Sequence, residues 1–213
     1  LRGKDVIFTF IESYGRSAIE NPEFDGPVNA ELADGTRRLT AAGFGARSAF
    51  LTSPTFGGGS WLAHSTFLSG LWINTQQRYN TLVASDRLTL TRTFGKAGWR
   101  KVGFEPGNSF AWPEASFYGY DKVYDDRNIG YHGPHYSWSN MPDQFALRQF
   151  ASFEYTAPQR GPLMTEITLT SSHTGCASDP SRRPTPTAPS AGCSATTPAA
   201  RPLSGTARRR TTS

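Results

Sequence analysis

The sequence predicts an α/β domain built on a mostly parallel sheet. Two patterns carry that expectation: an apolar run of buried-strand type near the start, and a helix–glycine–strand succession in the middle of the chain. A third pattern, an abrupt change of composition after residue 173, confines the domain to residues 1–173 and predicts a disordered tail over residues 174–213.

"DVIFTFIE", Asp5 to Glu12, is almost continuously apolar between two acids and reads as a strand buried on both faces. "NAELADGTRRLTAAGFG" follows with helical spacing, Leu32, Leu39 and Ala42 inward and a glycine stop at Gly43. "ARSAFLTSPT" reads as a second strand closed by Pro54. After "FGGGS", residues Leu62, Ala63, Thr66, Phe67, Gly70 and Leu71 recur at helical spacing and predict one buried stripe. In "DRLTLTRTFGKAGWRKVGFEPG" the helical spacing runs to Ala97, Gly98 supplies a left-handed stop and "RKVGF" is extended. The aromatic stretch "AWPEASFYGYDKVYDDRNIGYHGPHYSWSN" has no clear period and predicts a long ordered loop. "MPDQFALRQFASF" reads as a helix and "PLMTEITLTSSH" as a strand ending at His173.

The remaining residues, from Thr174, contain no aromatic residue, no lysine and no glutamate, and cannot bury enough surface to offset chain entropy. They are rich in residues with GC-rich codons, so a shifted reading frame is expected, with a natural Pro/Thr-rich linker as the alternative. The net charge of +5 resides there, in six arginines against Asp179, and the first 173 residues are balanced. A nucleic-acid partner is therefore not expected, because neither a basic stripe nor a nucleic-acid motif marks the body. Both cysteines, Cys176 and Cys193, lie in the same tail, so no disulfide framework is indicated. No apolar run reaches membrane-spanning length and no signal peptide opens the chain.

Three residues could carry chemistry. Ser60 stands where a glycine loop meets a helix, and free backbone N–H groups at a helix start suit a phosphate or sulfate oxyanion. Serine is equally a favoured helix cap. Glu12 closes a strand, a place where ligands of open α/β sheets collect and a carboxylate can hold a divalent cation. It is equally a solvated strand end. His173 would lie on the same sheet edge, as ligand or as an ordinary hydrogen-bonded histidine.

Together, "DVIFTFIESYGRSAI" and "GGGSWLAHSTFLSG" resemble the sulfatase-like branch of the alkaline phosphatase superfamily, nearest its membrane phosphoglycerol transferases and lipoteichoic acid synthase-type enzymes. "LTLTRTFGKAGWRKVGFEPG", "FYGYDKVYDD", "MPDQFAL" and "MTEITLTSSH" resemble later segments in order, so the likeness spans most of residues 4–173. It implies a three-layer sandwich around a mostly parallel sheet, present here incompletely. It implies a metal-dependent phospho- or sulfo-ester hydrolase or transferase with Ser60 as metal-bound nucleophile and Glu12 as metal ligand. His173 would contact substrate and Trp61 would line the pocket. The implied cofactor is a divalent ion (manganese, magnesium or zinc) that lowers the hydroxyl's pKa and neutralises charge on the transferred group.

Two departures qualify the likeness. The family completes its metal site with an Asp-His pair, and that dipeptide occurs nowhere in this chain, so a truncated product with little or no activity is expected. "TSPTFGGGS" also lacks the C/S-x-P-x-R motif of formylglycine sulfatases, which leaves a directly attacking serine. The implied partner is the phosphate or sulfate ester of a lipid or glycan at the extracytoplasmic face of the cell membrane, with any anchor in segments upstream of Leu1. The alternative is a non-catalytic glycan or anionic-polymer binding module, using the aromatic stretch from Phe110 to Trp138 and the basic tail.

Overall fold

The computed structural model describes residues 3–135 and 139–173. Trp138 and the tail from 174 to 213, with the disorder and the shifted frame expected there, lie outside the described residues.

The described chain runs β1 (Val6–Ile11), α1 (Ser17–Glu20), α2 (Asp25–Ala41), α3 (Ser60–Ser69), α4 (Gln76–Val83), α5 (Leu90–Lys96), β2 (Arg100–Glu105), α6 (Ala115–Tyr118), β3 (Lys122–Asp125), α7 (Asp143–Phe150), a π-helical turn (Ala151–Tyr155) and β4 (Leu163–Leu169). The strands form one sheet in the order β1-β4-β2-β3, and every pairing is parallel. This is the expected α/β class. β4 is central and every residue of it is buried, which suits its run of Leu, Met, Ile and Thr.

Alternation along the strands sends side chains into a core on each face. On one face Val102 and Phe104 of β2 join Leu163, Ile167 and Leu169 of β4 beneath Ala146 and Phe150 of α7. Phe104 stacks on Tyr124 at 4.6 Å and meets Phe150 edge-on at 5.4 Å. On the other face Met164 packs with Leu62 and Leu68 of α3, Tyr79 and Leu82 of α4, and Phe117 and Tyr118 of α6. Helix, sheet and helix thus make three layers. Burial of each large apolar side chain contributes about 1.5–3 kcal/mol.

The amino ends of β1, β4 and β2 are clamped by charge. The Arg160 guanidinium donates to both carboxylate oxygens of Asp5, at 2.6 and 2.8 Å, and Leu163 N–H donates to the same carboxylate at 3.0 Å. The π-helical turn brings Glu154 under Arg100, which donates twice at 2.7 Å.

Several expectations are corrected. β1 is an edge strand of the described sheet and is not buried on both faces: Ile7 is 43% and Ile11 48% exposed, while Phe8 and Phe10 face Phe67 of α3 at 5.0 and 5.7 Å. Its continuous hydrophobicity is the same as that of a central strand, so burial on the second face could not be told from the run itself. α2 runs from Asp25 to Ala41, and the expected glycine stop, Gly43, follows two residues later with a left-handed φ of 86°. Yet α2 has no buried residue, so Leu32, Leu39 and Ala42 do not point into a core. Residues 46–55 form no strand. Phe50 and Leu51 are exposed, and this segment pairs with none of the four strands.

The buried face of α3 is Leu62, Ser65, Leu68 and Ser69, rotated from the expected stripe, with Phe67, Gly70 and Leu71 outside it. Ser65 tolerates burial because its hydroxyl meets Trp61 O at 2.5 Å and Tyr118 Oη at 2.7 Å. The aromatic stretch is not a continuous loop: it contains α6 and β3, the latter pairing with β2 across Val102 to Glu105. Four residues are too few to display a period. α4, which the sequence analysis did not anticipate, is capped by the Thr75 hydroxyl accepting from Arg78 N–H. His173 does not end β4 but lies four residues beyond it, in a turn closed by its own N–H to Thr170 O at 2.9 Å.

Candidate functional site

Parallel strands end on a common edge, and Glu12 and Glu105 stand at that edge because each closes or follows its strand. Glu12 N–H donates to Leu169 O at 2.9 Å, which extends the β1–β4 pairing by one residue, and the Ser172 hydroxyl donates to Glu12 O at 2.6 Å. The acid at the end of β1 is therefore tied to the turn that carries His173.

Ser60 reaches the same place from α3. Gly57, Gly58 and Gly59 have φ values of 71°, 151° and 71°, conformations that favour glycine, and Gly59 is the residue before the first helical turn. Ser60 is thus the first helical residue, not the cap. His64 follows one turn later on the same side of α3. Its Nε2 lies 3.4 Å from Glu12 Oε1 and its Nδ1 3.5 Å from Glu166 Oε1. The ring is stacked on Phe10 at 3.9 Å, which sets its plane between the two acids.

A cavity of about 360 Å³ opens here, lined by Glu12, Ser60, Trp61, His64 and His173, with Glu105 and Glu166 on its sheet side. The four residues singled out from sequence (Glu12, Ser60, Trp61 and His173) are brought to this one cavity. Trp61 is half exposed and its Nε1 donates to Gln76 Oε1 at 3.0 Å.

The electrostatics separate the three acids. Burial pushes the Glu12 carboxyl up, but hydrogen bonding by His64 and Ser60 and the fields of His64 and His173 outweigh it and hold the pKa below the ordinary value. Glu105 is pushed well up, first by burial and then by the neighbouring Glu166 charge and by Glu12, against the hydrogen bond from the Thr168 hydroxyl at 3.1 Å. Glu166 is also pushed up by burial, against His64 and the Tyr120 hydroxyl that donates to it. The serine thus stands beside an acid held toward its ionised form, with two acids pushed toward the protonated form behind it.

His64, Glu105 and Glu166 escaped the sequence analysis. Two signals were available: "GFE" closes β2 as "FIE" closes β1, and Glu166 interrupts the otherwise uncharged strand "LMTEITL". His64 had only its i+4 spacing from Ser60.

Oxygen donors such as Glu12 and Ser60 suit a hard divalent cation in kind. They do not suffice in number, since among the described residues no group of three His, Cys, Asp or Glu side chains is placed to hold a metal ion. No described helix is long and apolar enough to cross a membrane.

The architecture has a counterpart among solved structures. Its fold is similar to that of a lipoteichoic acid synthase. Superposed on the synthase LtaP from Listeria monocytogenes, the chain gives a TM-score of 0.60 at 19% identity. The match covers 81% of this chain and 41% of that one, so the likeness is one of fold and spans about two fifths of the synthase. With its all-parallel sheet and helices on both faces, the described chain agrees with part of an alkaline phosphatase-like fold. No protein-family description matches the sequence, and no curated protein matches it.

Proposed function

We propose that this domain belongs to a phospho- or sulfo-ester transferase or hydrolase in which Ser60 is the nucleophile. The observation that carries the reading is the meeting of Ser60 and Glu12 at one cavity, the hydroxyl close enough to bond to the carboxylate and lower its pKa. The start of α3 contributes unpaired backbone N–H groups beside the hydroxyl, suited to a tetrahedral oxyanion.

In the reaction the Ser60 oxygen forms a bond to phosphorus or sulfur and the bond to the ester oxygen breaks. The hydroxyl proton ends on the departing alcohol. Glu12, ionised by its surroundings, orients the hydroxyl, and His64 holds Glu12 from the other side. Glu12 and Ser60 would hold a manganese, magnesium or zinc ion, which would make the hydroxyl more acidic and offset charge on the transferred group. Two protein ligands predict weak retention of that ion and slow turnover by this chain. His173 faces the same cavity and contacts the bound ester. The fold of a lipoteichoic acid synthase supports a lipid- or glycan-linked ester as substrate, outside the cytoplasm.

The test is release of p-nitrophenol from p-nitrophenyl phosphate by the 213-residue chain in added manganese, with mass spectrometry of the product. Slow, manganese-dependent release and a phosphoryl group on Ser60 are expected, both lost in Ser60→Ala. Equal rates in the two proteins remove Ser60 from the mechanism.

A further inference from the structure

Edge strands are normally guarded against pairing by shortness or by charge, and the two edges of this sheet differ in that respect. β3 has four residues and begins with Lys122, whose ammonium lies 5.2 Å from the Tyr124 ring centroid. β1 has six residues, none of them charged. Because Glu12 N–H donates to Leu169 O, the even-numbered residues of β1 direct their backbone groups to β4, and Ile7, Thr9 and Ile11 direct theirs outward. Among the described residues β1 pairs with β4 alone. The side chains of the same three residues stand on the sheet face that α7 covers over β2 and β4, and there they are exposed.

The chain that follows β1 adds apolar surface. Phe24, Leu32, Leu39, Phe44, Phe50 and Leu51, on α2 and the segments around it, are between 48% and 90% exposed. α1 ties them together: Asn29 Nδ2 donates to Ile19 O at 3.1 Å, and the Arg16 guanidinium lies 4.7 Å from the Phe50 ring centroid. At about 150–250 Å² for a large side chain, these six with Ile7 and Ile11 leave on the order of 700–900 Å² in water. The largest apolar patch of a typical monomer is roughly 300–600 Å², whereas each partner in a stable interface contributes about 800 Å².

We propose that the free edge of β1 is a dimer interface, on which a second copy of this chain lays its own β1 antiparallel about a twofold axis at Thr9. Two four-stranded sheets then become one of eight, and the surface around α2 contributes the rest of the buried area. The strand itself selects this occupant and this register. With the axis at Thr9, Ile7 faces Ile11, Phe8 faces Phe10 and Thr9 faces Thr9, the β-branched and aromatic pairs that stabilise neighbouring strands. An axis at Phe8 sets Asp5 against Ile11, and one at Ile7 sets Lys4 against Phe10. Basic and acidic residues are balanced over residues 1–173, so two copies of the domain do not repel through net charge. Ile7, Thr9 and Ile11 do not line the cavity, and the inference stands apart from the chemistry assigned to Ser60.

Sedimentation velocity of the full chain at increasing concentration tests this. A dimer is expected, with a Kd of about 1–100 μM. Ile7→Lys sets a charge on a side of β1 that is already exposed, and is expected to weaken the dimer about tenfold or more with unchanged circular dichroism. Register is read separately, in chain whose Cys176 and Cys193 are replaced by serine. There Thr9→Cys is expected to form an interchain disulfide on mild oxidation. Ile7→Cys alone is expected to form none, while a mixture of Ile7→Cys and Ile11→Cys chains does. The proposal is overturned if the parent chain stays monomeric at about 100 μM. It is overturned equally if Ile7→Lys dimerises as tightly as the parent, or if Thr9→Cys fails to link. A dimer kept in Ile7→Lys but lost in Leu39→Lys would assign the contact to α2 and rule out pairing through β1.

Discussion

The Nε2 atom of His64 lies 3.4 Å from Glu12 Oε1, so the acid at the end of β1 is held on one side by an imidazole and on the other by the Ser60 hydroxyl. Both partners come from a single turn of α3. Hydrogen bonding and field from His64 are among the effects that keep Glu12 ionised against burial. Replacing the ring by alanine is expected to move the Glu12 carboxyl midpoint upward in a side-chain carbon-13 NMR titration. An unchanged or lower midpoint would show that His64 does not govern that acid.

Glu105 behaves oppositely. Its pKa is raised well above the ordinary 4.5, so on a rising pH scale the unfolded chain loses this proton first. Between the two values the folded chain holds more protons, and stability falls as pH rises. Glu105→Gln keeps an acceptor for the Thr168 hydroxyl and removes the titration. It is expected to be more stable than the parent at pH 7 and to gain much less at pH 4, by thermal melts at both values. Equal gains would mean that the proton is not the cause.

Asp5 has a lowered pKa, first through its hydrogen bonds from Arg160, with burial opposing and the Leu163 N–H assisting. Here the stabilisation is present above the ordinary value of 3.8 and is lost as pH falls through the lower folded value. Asp5→Asn is expected to cost about 1 kcal/mol at pH 7 and to narrow that deficit in the acid limb below about pH 4. Urea unfolding at pH 7 and pH 3 reads both quantities.

Phe104 is wholly buried between Tyr124 and Phe150 on the face beneath α7. Phe104→Ala removes a ring from a packed core and is expected to cost about 3–5 kcal/mol in denaturant unfolding. The cavity at the strand ends lies on the other side of the sheet.

Gly59 occupies a left-handed conformation with φ of 71° directly before Ser60, and a Cβ there would meet only ordinary contacts, Leu62 Cδ1 at 3.6 Å being the nearest. Backbone strain, not crowding, is then the cost of Gly59→Ala, about 1–2 kcal/mol. A loss of that size with retained fold, read by urea midpoint and circular dichroism, is expected. A neutral substitution would mean that the turn into α3 can relax.

Local chemistry was legible in the chain itself. The apolar run before Glu12, the breaks at Gly43 and Gly98, the glycines before Ser60 and the apolar stretch of β4 each mark an element through short-range sterics and periodicity, and the parallel α/β class follows from their succession. What a periodic pattern does not encode is which neighbour covers a face, so Leu32 and Leu39 of α2 point into no core and Ile7 and Ile11 of β1 stay half exposed. Nor does it show that Phe67 and Leu71 fall outside the buried side of α3. The candidate site depended still more on tertiary structure. Placing β4 between β1 and β2 sets Glu166 opposite Phe8 on one side and Gly103 on the other, and so brings His64, Glu105 and Glu166 to the edge already marked by Glu12 and Ser60. Strand order joins residues as far apart as Phe8 and Glu166 through backbone pairing and desolvation, and neither leaves a trace in local sequence spacing.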